Sequence, residues 1–480
     1  MSNKLMRGVA QAQSVIGSIN LREDIVDNKR ALVRRGISPC SLVVLRRSVF
    51  ALSVLLLGAL PAHAGVQIQH WQAKSGAKVL FVENHDLPML DVAVQVDAGS
   101  RRDTLEEAGR ASLTVGMMQL GAGGMSEDVI ANRLADVGAE MGPSFDPDRA
   151  GYSLRTLSSK RERDQALDIM AKVLQAPDFP DAILQREKTR TLAALKEAET
   201  RPESIANKAF FKAVYGAHPY ALVGDGDIGT VSKLTRADVE RFYQQHYAAS
   251  GAVVAMIGDV TRAEAEAIAE QLTAKLPAGS VSADMPKVTP LTAASVQRIP
   301  HPATQAHILM GAPGIARGDA DYFSLYVGNY VLGGGGFDSR ILNEIRQKRG
   351  LAYSAYSYFI PLKQPGPFQI GMQTKKQDAD TALKVARETL VTFIKTGPTA
   401  EELKQAKNNI ILGFPLRIDT NREILEYLGV IGFYDLPLSY LDDFTHKVDQ
   451  VTAREIQQAF QRHVDPEKLA TVIVGGPEQK

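Results

Sequence analysis

Cysteine is nearly absent: the 480 residues contain one, Cys40. A single cysteine excludes a disulfide framework and a cysteine–metal site, and because it stands ahead of an apolar run rather than after it, a lipoprotein anchor is not expected. No apolar stretch approaches the ~20 residues of a membrane-spanning helix. Charge of one sign is also lacking. With 55 Lys and Arg against 54 Asp and Glu, the net +1 gives no attraction to nucleic acid. The nine histidines include no HxxxH pair, none is followed by glutamate in HxxE, and no GxSxG elbow occurs. An autonomous zinc, serine or cysteine hydrolase is therefore not expected.

What is present reads as a globular chain with a leader. Apolar residues make up 45% and charged residues 23%, ordinary values for a folded protein, and the length suits two domains. Arg46-Arg47 precede 14 apolar-rich residues, Val49–Ala62, and Ala62-His63-Ala64 has the form of an A-x-A cleavage site. Residues 1–64 thus read as a leader with a signal peptide, and the expected location is periplasmic or secreted after cleavage near Ala64. The segment before the apolar run is long for a signal, which fits a translation start near Val44. Residues 1–64 hold nine basic and three acidic side chains, so the remainder carries 46 basic and 51 acidic ones, a net −5.

An internal repeat organises the rest. Val231-Ser-Lys-Leu-Thr235-Arg-Ala-Asp-Val239 parallels Val448-Asp-Gln-Val-Thr452-Ala-Arg-Glu-Ile456 at an offset of 217. Without a gap, His246 then matches His463, and Ala255–Gly258 matches Val472–Gly475. Each copy predicts a Thr N-cap, an amphipathic helix and a strand ending in Gly. Upstream, Lys78–Val82 and Asp91–Val96 alternate like hairpin strands around the turn Asn84–Pro88, and Ala306–Met310 reads as a strand of the second half. Helices are predicted over Glu107–Leu120, Ser126–Val137, Arg161–Leu174 and Asp181–Thr200. Their counterparts are Asp319–Val331, Ser339–Arg349, Ala379–Thr396 and Ala400–Leu412. Lys275–Val296, rich in Pro, Ala, Ser and Thr, reads as a linker. The expected domains are residues 65–274 and 297–480, joined by 275–296, both α+β.

The stretch Gly109-Arg-Ala-Ser112-Leu-Thr-Val115-Gly116-Met117 resembles the GLAHxLEHM helix of the pitrilysin/insulinase/mitochondrial-processing-peptidase family. In that family HxxEH places two histidines on one helix face toward zinc, with the glutamate as base for the zinc-bound water. Ser112, Val115 and Gly116 stand at those three positions. A third ligand comes from a later EKxxVxxE-like motif. Here Glu187-Lys188 leads to Ala194 where that glutamate belongs. The resemblance covers most of residues 75–476 through Asn84–Pro88, Ala98-Gly99-Ser100-Arg101, His218-Pro219-Tyr220 and Leu332-Gly333-Gly334-Gly335. Each of these is an ordinary turn or loop by itself; their order and spacing carry the likeness.

The resemblance implies two homologous α+β domains, each an antiparallel sheet with helices packed on one side, together forming half of a clamshell chamber. It also implies that Arg346 and Tyr353, in Arg346-Gln-Lys-Arg-Gly350-Leu-Ala-Tyr353, bind substrate across the cavity from the zinc site. Without the resemblance, the same residues read as a basic helix end closed by Gly350. The expected function is a non-catalytic, substrate-binding subunit of a heterodimeric zinc peptidase, inactive alone. A paralogous HxxEH subunit is the expected partner and holds the zinc, peptides are the substrate, and this chain has no cofactor of its own. Stable membrane insertion is not expected. The alternative is a binding or scaffold protein of the same fold without peptidase activity. Gly224-Asp-Gly-Asp-Ile-Gly229 matches GxGxxG, but no strand precedes it and its aspartates repel a pyrophosphate. His301 and His307 read as ordinary histidines rather than a ligand pair.

Overall fold

The strands of this chain carry apolar residues at consecutive positions, which suits sheets covered on both faces. The computed structural model describes residues 66–279 and 285–475. The leader with Cys40 and the expected cleavage site, and part of the linker, lie outside the described residues.

The first half runs β1 (Gln69–Gln72), β2 (Lys78–Glu83), β3 (Met89–Val96), α1 (Arg110–Met118), the two-residue strands β4 (Gly121–Ala122) and β5 (Met125–Ser126), and α2 (Glu127–Ala135). It continues through β6 (Glu140–Phe145), β7 (Ala150–Leu157), α3 (Lys160–Gln175), α4 (Asp181–Ala198), α5 (Pro202–Tyr215), α6 (Arg236–His246), β8 (Val253–Gly258) and α7 (Arg262–Thr273). Its six-stranded sheet has the order β1-β2-β8-β3-β7-β6. The second half runs β9 (Ser295–Ile299), β10 (Gln305–Pro313), α8 (Tyr322–Asn329), β11 (Ala352–Phe359), β12 (Pro367–Lys375), α9 (Ala379–Thr396), α10 (Ala400–Gly413), α11 (Asn421–Phe433), α12 (Tyr440–Gln450), α13 (Ala453–His463) and β13 (Ala470–Val474). Its five-stranded sheet has the order β11-β12-β10-β13-β9.

The sequence repeat has a structural counterpart. Thr235 and Thr452 both close capping boxes, with Asp238 and Glu455, and the strands that follow, β8 and β13, sit inside their sheets. There the hairpin expected of β2 and β3 is corrected. The turn between them forms, with Asn84 Oδ1 accepting the Asp86 N–H at 3.0 Å, but β8 inserts between the two strands. It runs parallel to β2 and antiparallel to β3. All six residues of β8 are buried, so a central place lets both its edges and both its faces be satisfied. β13 likewise pairs parallel with β9 and antiparallel with β10. Each otherwise antiparallel sheet thus holds one parallel pair, finer detail than the sequence carried.

Alternate residues point to two different cores. On one face of the first sheet Val79, Phe81, Val92, Val94, Val254 and Met256 pack with the helices of their own half. On the other face Leu80, Val82, Ala93, Val253, Ala255 and Ile257 join the core of the second half. The covering element there is α11, whose Leu425, Leu428 and Ile431 are buried, each contributing about 2 kcal/mol by transfer from water. The helix sits close because Gly432 has no side chain; a Cβ there would lie 2.5 Å from Val253. The second sheet mirrors this. Ile308, Met310, Ile370 and Ile473 face their own helices, while Leu309, Val472 and Val474 face Phe210 and Val214 of α5. Each half therefore lends one helix to the other's sheet.

Helix ends differ from the sequence reading where side chains intervene. Helix α8 starts at Tyr322 rather than Asp319, because the Asp319 carboxylate accepts the Asp321 N–H at 2.8 Å and forms a turn. The predicted helix over Ser339–Arg349 is instead a short turn, Arg340–Leu342, followed by a wider π-type turn, Asn343–Gln347. It closes at Gly350 with φ +63°, the left-handed position expected of that glycine.

A buried carboxylate ties the halves together. Asp148, in the turn between β6 and β7, is fully buried. It accepts the Tyr220 hydroxyl at 2.7 Å, the Tyr434 hydroxyl at 2.7 Å and the Lys363 N–H at 2.7 Å, and Arg101 Nε lies 3.1 Å away. Gly99 makes room for this turn, since a Cβ there would be 2.4 Å from the Asp148 backbone. Two of the sequence landmarks, Ala98–Arg101 and His218–Tyr220, thus meet at one structural hub.

The paired histidines of the repeat have diverged. His463 Nε2 lies 2.9 Å from Asp321. His246 packs against Phe242, with ring centroids 4.5 Å apart. Burial, reinforced by nearby Arg102 and Arg110, lowers its pKa from 6.5 to about 4. The unfolded chain then binds the extra proton between pH 6.5 and 4, so stability falls as pH drops through that window. For a ring still partly open to solvent the contribution is on the order of 1–2 kcal/mol. Urea titrations at pH 7 and pH 5 are expected to show a smaller drop for His246→Gln than for the parent. An equal drop removes His246 as the cause.

Candidate functional site

Helix α1 is fixed at its start by Asp103, whose two oxygens accept the Gly109 and Ala111 N–H groups at 2.9 and 3.0 Å. It packs on α4 through Leu113, with Leu192 and Leu195 closing the contact. The four positions that resemble a metal site lie on these two helices. Ser112 is half-buried and its hydroxyl donates to Asp225 Oδ1 at 3.1 Å. Val115 is 3% exposed and belongs to the apolar core, and its carbonyl accepts the Tyr152 hydroxyl. Gly116 faces open space, with nothing within 4 Å of a Cβ. Ala194 is exposed on α4, between the two leucines.

This donor set does not fit zinc. A zinc site needs three protein donors of the imidazole, thiolate or carboxylate type; here one hydroxyl stands among three side chains with no donor atom. Among the described residues, one group of carboxylates and imidazoles is close enough to share an ion: Asp319, Asp321 and His463. Arg462 already occupies it, donating to both oxygens of Asp321 at 2.6 and 2.9 Å. His301 and His307 are not joined in such a group. The first bonds to the Thr200 carbonyl at 3.0 Å and the second lies 3.4 Å from Gln373.

Arg346 and Tyr353 flank the corner where the wide turn meets β11. The Arg346 guanidinium lies 5.0 Å from the Phe337 ring centroid, a cation–π contact, and makes no ion pair among the described residues. Tyr353 is the extra residue of a β-bulge, since Ala352 and Ser354 pair with the adjacent residues Thr374 and Gln373. It is 82% exposed, on the edge strand of its sheet, and its side chain makes no hydrogen bond or ring contact among the described residues. Phe337, 62% exposed, was not singled out from the sequence; its signal was an aromatic directly after a glycine run. The run is packed at its start, where a Cβ on Gly333 would lie 2.5 Å from the Ser357 nitrogen, and open at Gly336, which has nothing within 4 Å of a Cβ.

Fold and site together define a protein of zinc-peptidase architecture whose own metal positions hold no ligands. The chain belongs to the insulinase family of peptidases, M16. Residues 78–223 match the insulinase (peptidase family M16) domain, and residues 233–410 match the peptidase M16 inactive domain. A crystal structure of a peptidase M16 inactive domain from Pseudomonas fluorescens is 36% identical, with a TM-score of 0.83 over 86% of this chain and 99% of that one. The non-peptidase homolog YmxG of Helicobacter pylori is 25% identical over 89% of this chain and 99% of its own length. An uncharacterized zinc protease of Streptomyces coelicolor is 25% identical over 73% of this chain and 77% of its own. The two-domain α+β fold is shared, and the four positions of this chain that resemble the metal site carry no metal-ligating side chain. No helix among the described residues is long and apolar enough to cross a membrane.

Proposed function

We propose that this chain is the substrate-binding subunit of a heterodimeric zinc peptidase, exported to the periplasm or beyond, whose partner is an HxxEH paralogue that holds the zinc. The observation that carries the reading is the loss of all four metal-site roles, at Ser112, Val115, Gly116 and Ala194, from a fold otherwise kept whole. A half-buried arginine and an exposed tyrosine whose side chains have no polar partners among the described residues support the second part. A guanidinium and a phenol are suited to donate to a peptide carbonyl or a developing oxyanion. In this reading Arg346 and Tyr353 grip the peptide while the partner cleaves it, and only flexible peptides or unfolded segments enter the enclosed space.

Copurification with the partner is the test. The pair is expected to cleave a peptide and to stop with a chelator, while this chain alone is inert. Arg346→Ala combined with Tyr353→Phe is expected to lower the pair's kcat/KM by about 100-fold, with little change in the melting curve because Tyr353 is exposed and Arg346 makes no ion pair among the described residues. Unchanged turnover overturns the gripping role. Failure to bind any HxxEH paralogue favours the scaffold alternative.

A further inference from the structure

The C-terminal half contains a cavity of about 390 Å³, within the size range of small-molecule sites. Tyr322, Phe323, Leu436 and Tyr440 give it aromatic and aliphatic walls, and four charged side chains also reach it. The two acids are already engaged. Glu455 accepts the Thr452 N–H and hydroxyl, each at 2.8 Å, in a capping box, and Asp319 accepts the Asp321 N–H. The two cations are less committed. Lys447 is 3.7 Å from Asp443 and lies over Phe323 at 5.5 Å. Arg317 has no carboxylate within ion-pair distance among the described residues. Its guanidinium rests 5.5 Å from the Tyr434 ring, and its Nε is buried without an acceptor.

A guanidinium that lines an apolar-walled cavity and has no carboxylate partner is shaped to take one from a ligand. We propose that this cavity binds a small organic monocarboxylate. The carboxylate sits on Arg317, and an aromatic or aliphatic body lies among Tyr322, Phe323, Leu436 and Tyr440. Lys447 adds a second positive charge. The engaged acids at Asp319 and Glu455 disfavour a dianion such as phosphate, so one negative charge on an apolar stem is the class selected. The site is independent of the peptidase-subunit reading and of Arg346 and Tyr353.

Calorimetric titration of the full chain with hydrocinnamate and with its neutral amide tests this. The acid is expected to bind at least about tenfold tighter than the amide. Arg317→Gln is expected to erase that difference and Lys447→Gln to reduce it. Equal affinity for acid and amide overturns the proposal. So does the lack of saturable acid binding up to about 10 mM, or full acid affinity in a folded Arg317→Gln. The comparison of acid with amide on the parent protein decides even if the half-buried Arg317 proves necessary for folding.

Discussion

A chain carrying Ser112→His, Gly116→His and Ala194→Glu is expected to bind about one equivalent of zinc, where the parent binds none at these positions. Residues 112 and 116 are one helical turn apart on α1, the i, i+4 spacing by which two imidazoles meet one ion. A side chain at 116 enters open space, and Ala194 is an exposed position on the helix packed against α1. Metal analysis after dialysis, with competition by a coloured chelator, reads the result. A folded triple variant without zinc refutes the alignment of these positions with a metal site. Hydrolysis is not expected from it, because no base stands at 115. Adding Val115→Glu is a different matter: that side chain is 3% exposed in the core. An unpaired carboxylate there costs several kcal/mol, so the fourfold variant should unfold at distinctly lower urea. The side chain at 115 belongs to the packed core, so a carboxylate is hard to place there.

Asp148→Ala is expected to lower stability by about 3–5 kcal/mol, the range for removing one partner of a buried ion pair. The change takes from Arg101, which is 3% exposed, one of its two carboxylate partners, Asp97 remaining at 2.6 Å, and leaves the Tyr220 and Tyr434 hydroxyls and the Lys363 N–H without their acceptor. Tyr434→Phe removes a single arm and should cost only about 1 kcal/mol. Urea midpoints of both variants against the parent measure the ratio. Equal small losses would show that the hub contributes no more than an ordinary hydrogen bond.

Much of this was legible where the signal is local. The Thr235 and Thr452 caps, the offset that aligns His246 with His463, and the Gly350 stop all depend on neighbours within a few residues. Ser112, Val115 and Gly116 could be set against a motif because their spacing falls on one helix, Arg110–Met118, whereas Ala194 was placed by a separate motif on α4. Legibility failed where the answer lies far along the chain. Nothing near Lys78–Glu83 tells that β8, some 170 residues later, separates it from β3. Asp148 drew no notice because its partners stand 72, 215 and 286 positions away. Helix α5 was missed although Pro202 at its first turn and an apolar stripe ending at Tyr215 were there to be read. Helix α11 was missed despite the Thr420–Glu423 capping box.

The lent helices bear on how such a chain arose. Helix α5 begins 219 residues before α11, close to the 217-residue repeat, so the two are equivalent pieces that have traded places across the pseudo-symmetry. A single-repeat ancestor built this way would have had a bare greasy sheet surface, curable only by a second copy offering its own arm in return. Fusion of two such genes would then have converted a mutual embrace between separate molecules into one within a single polypeptide.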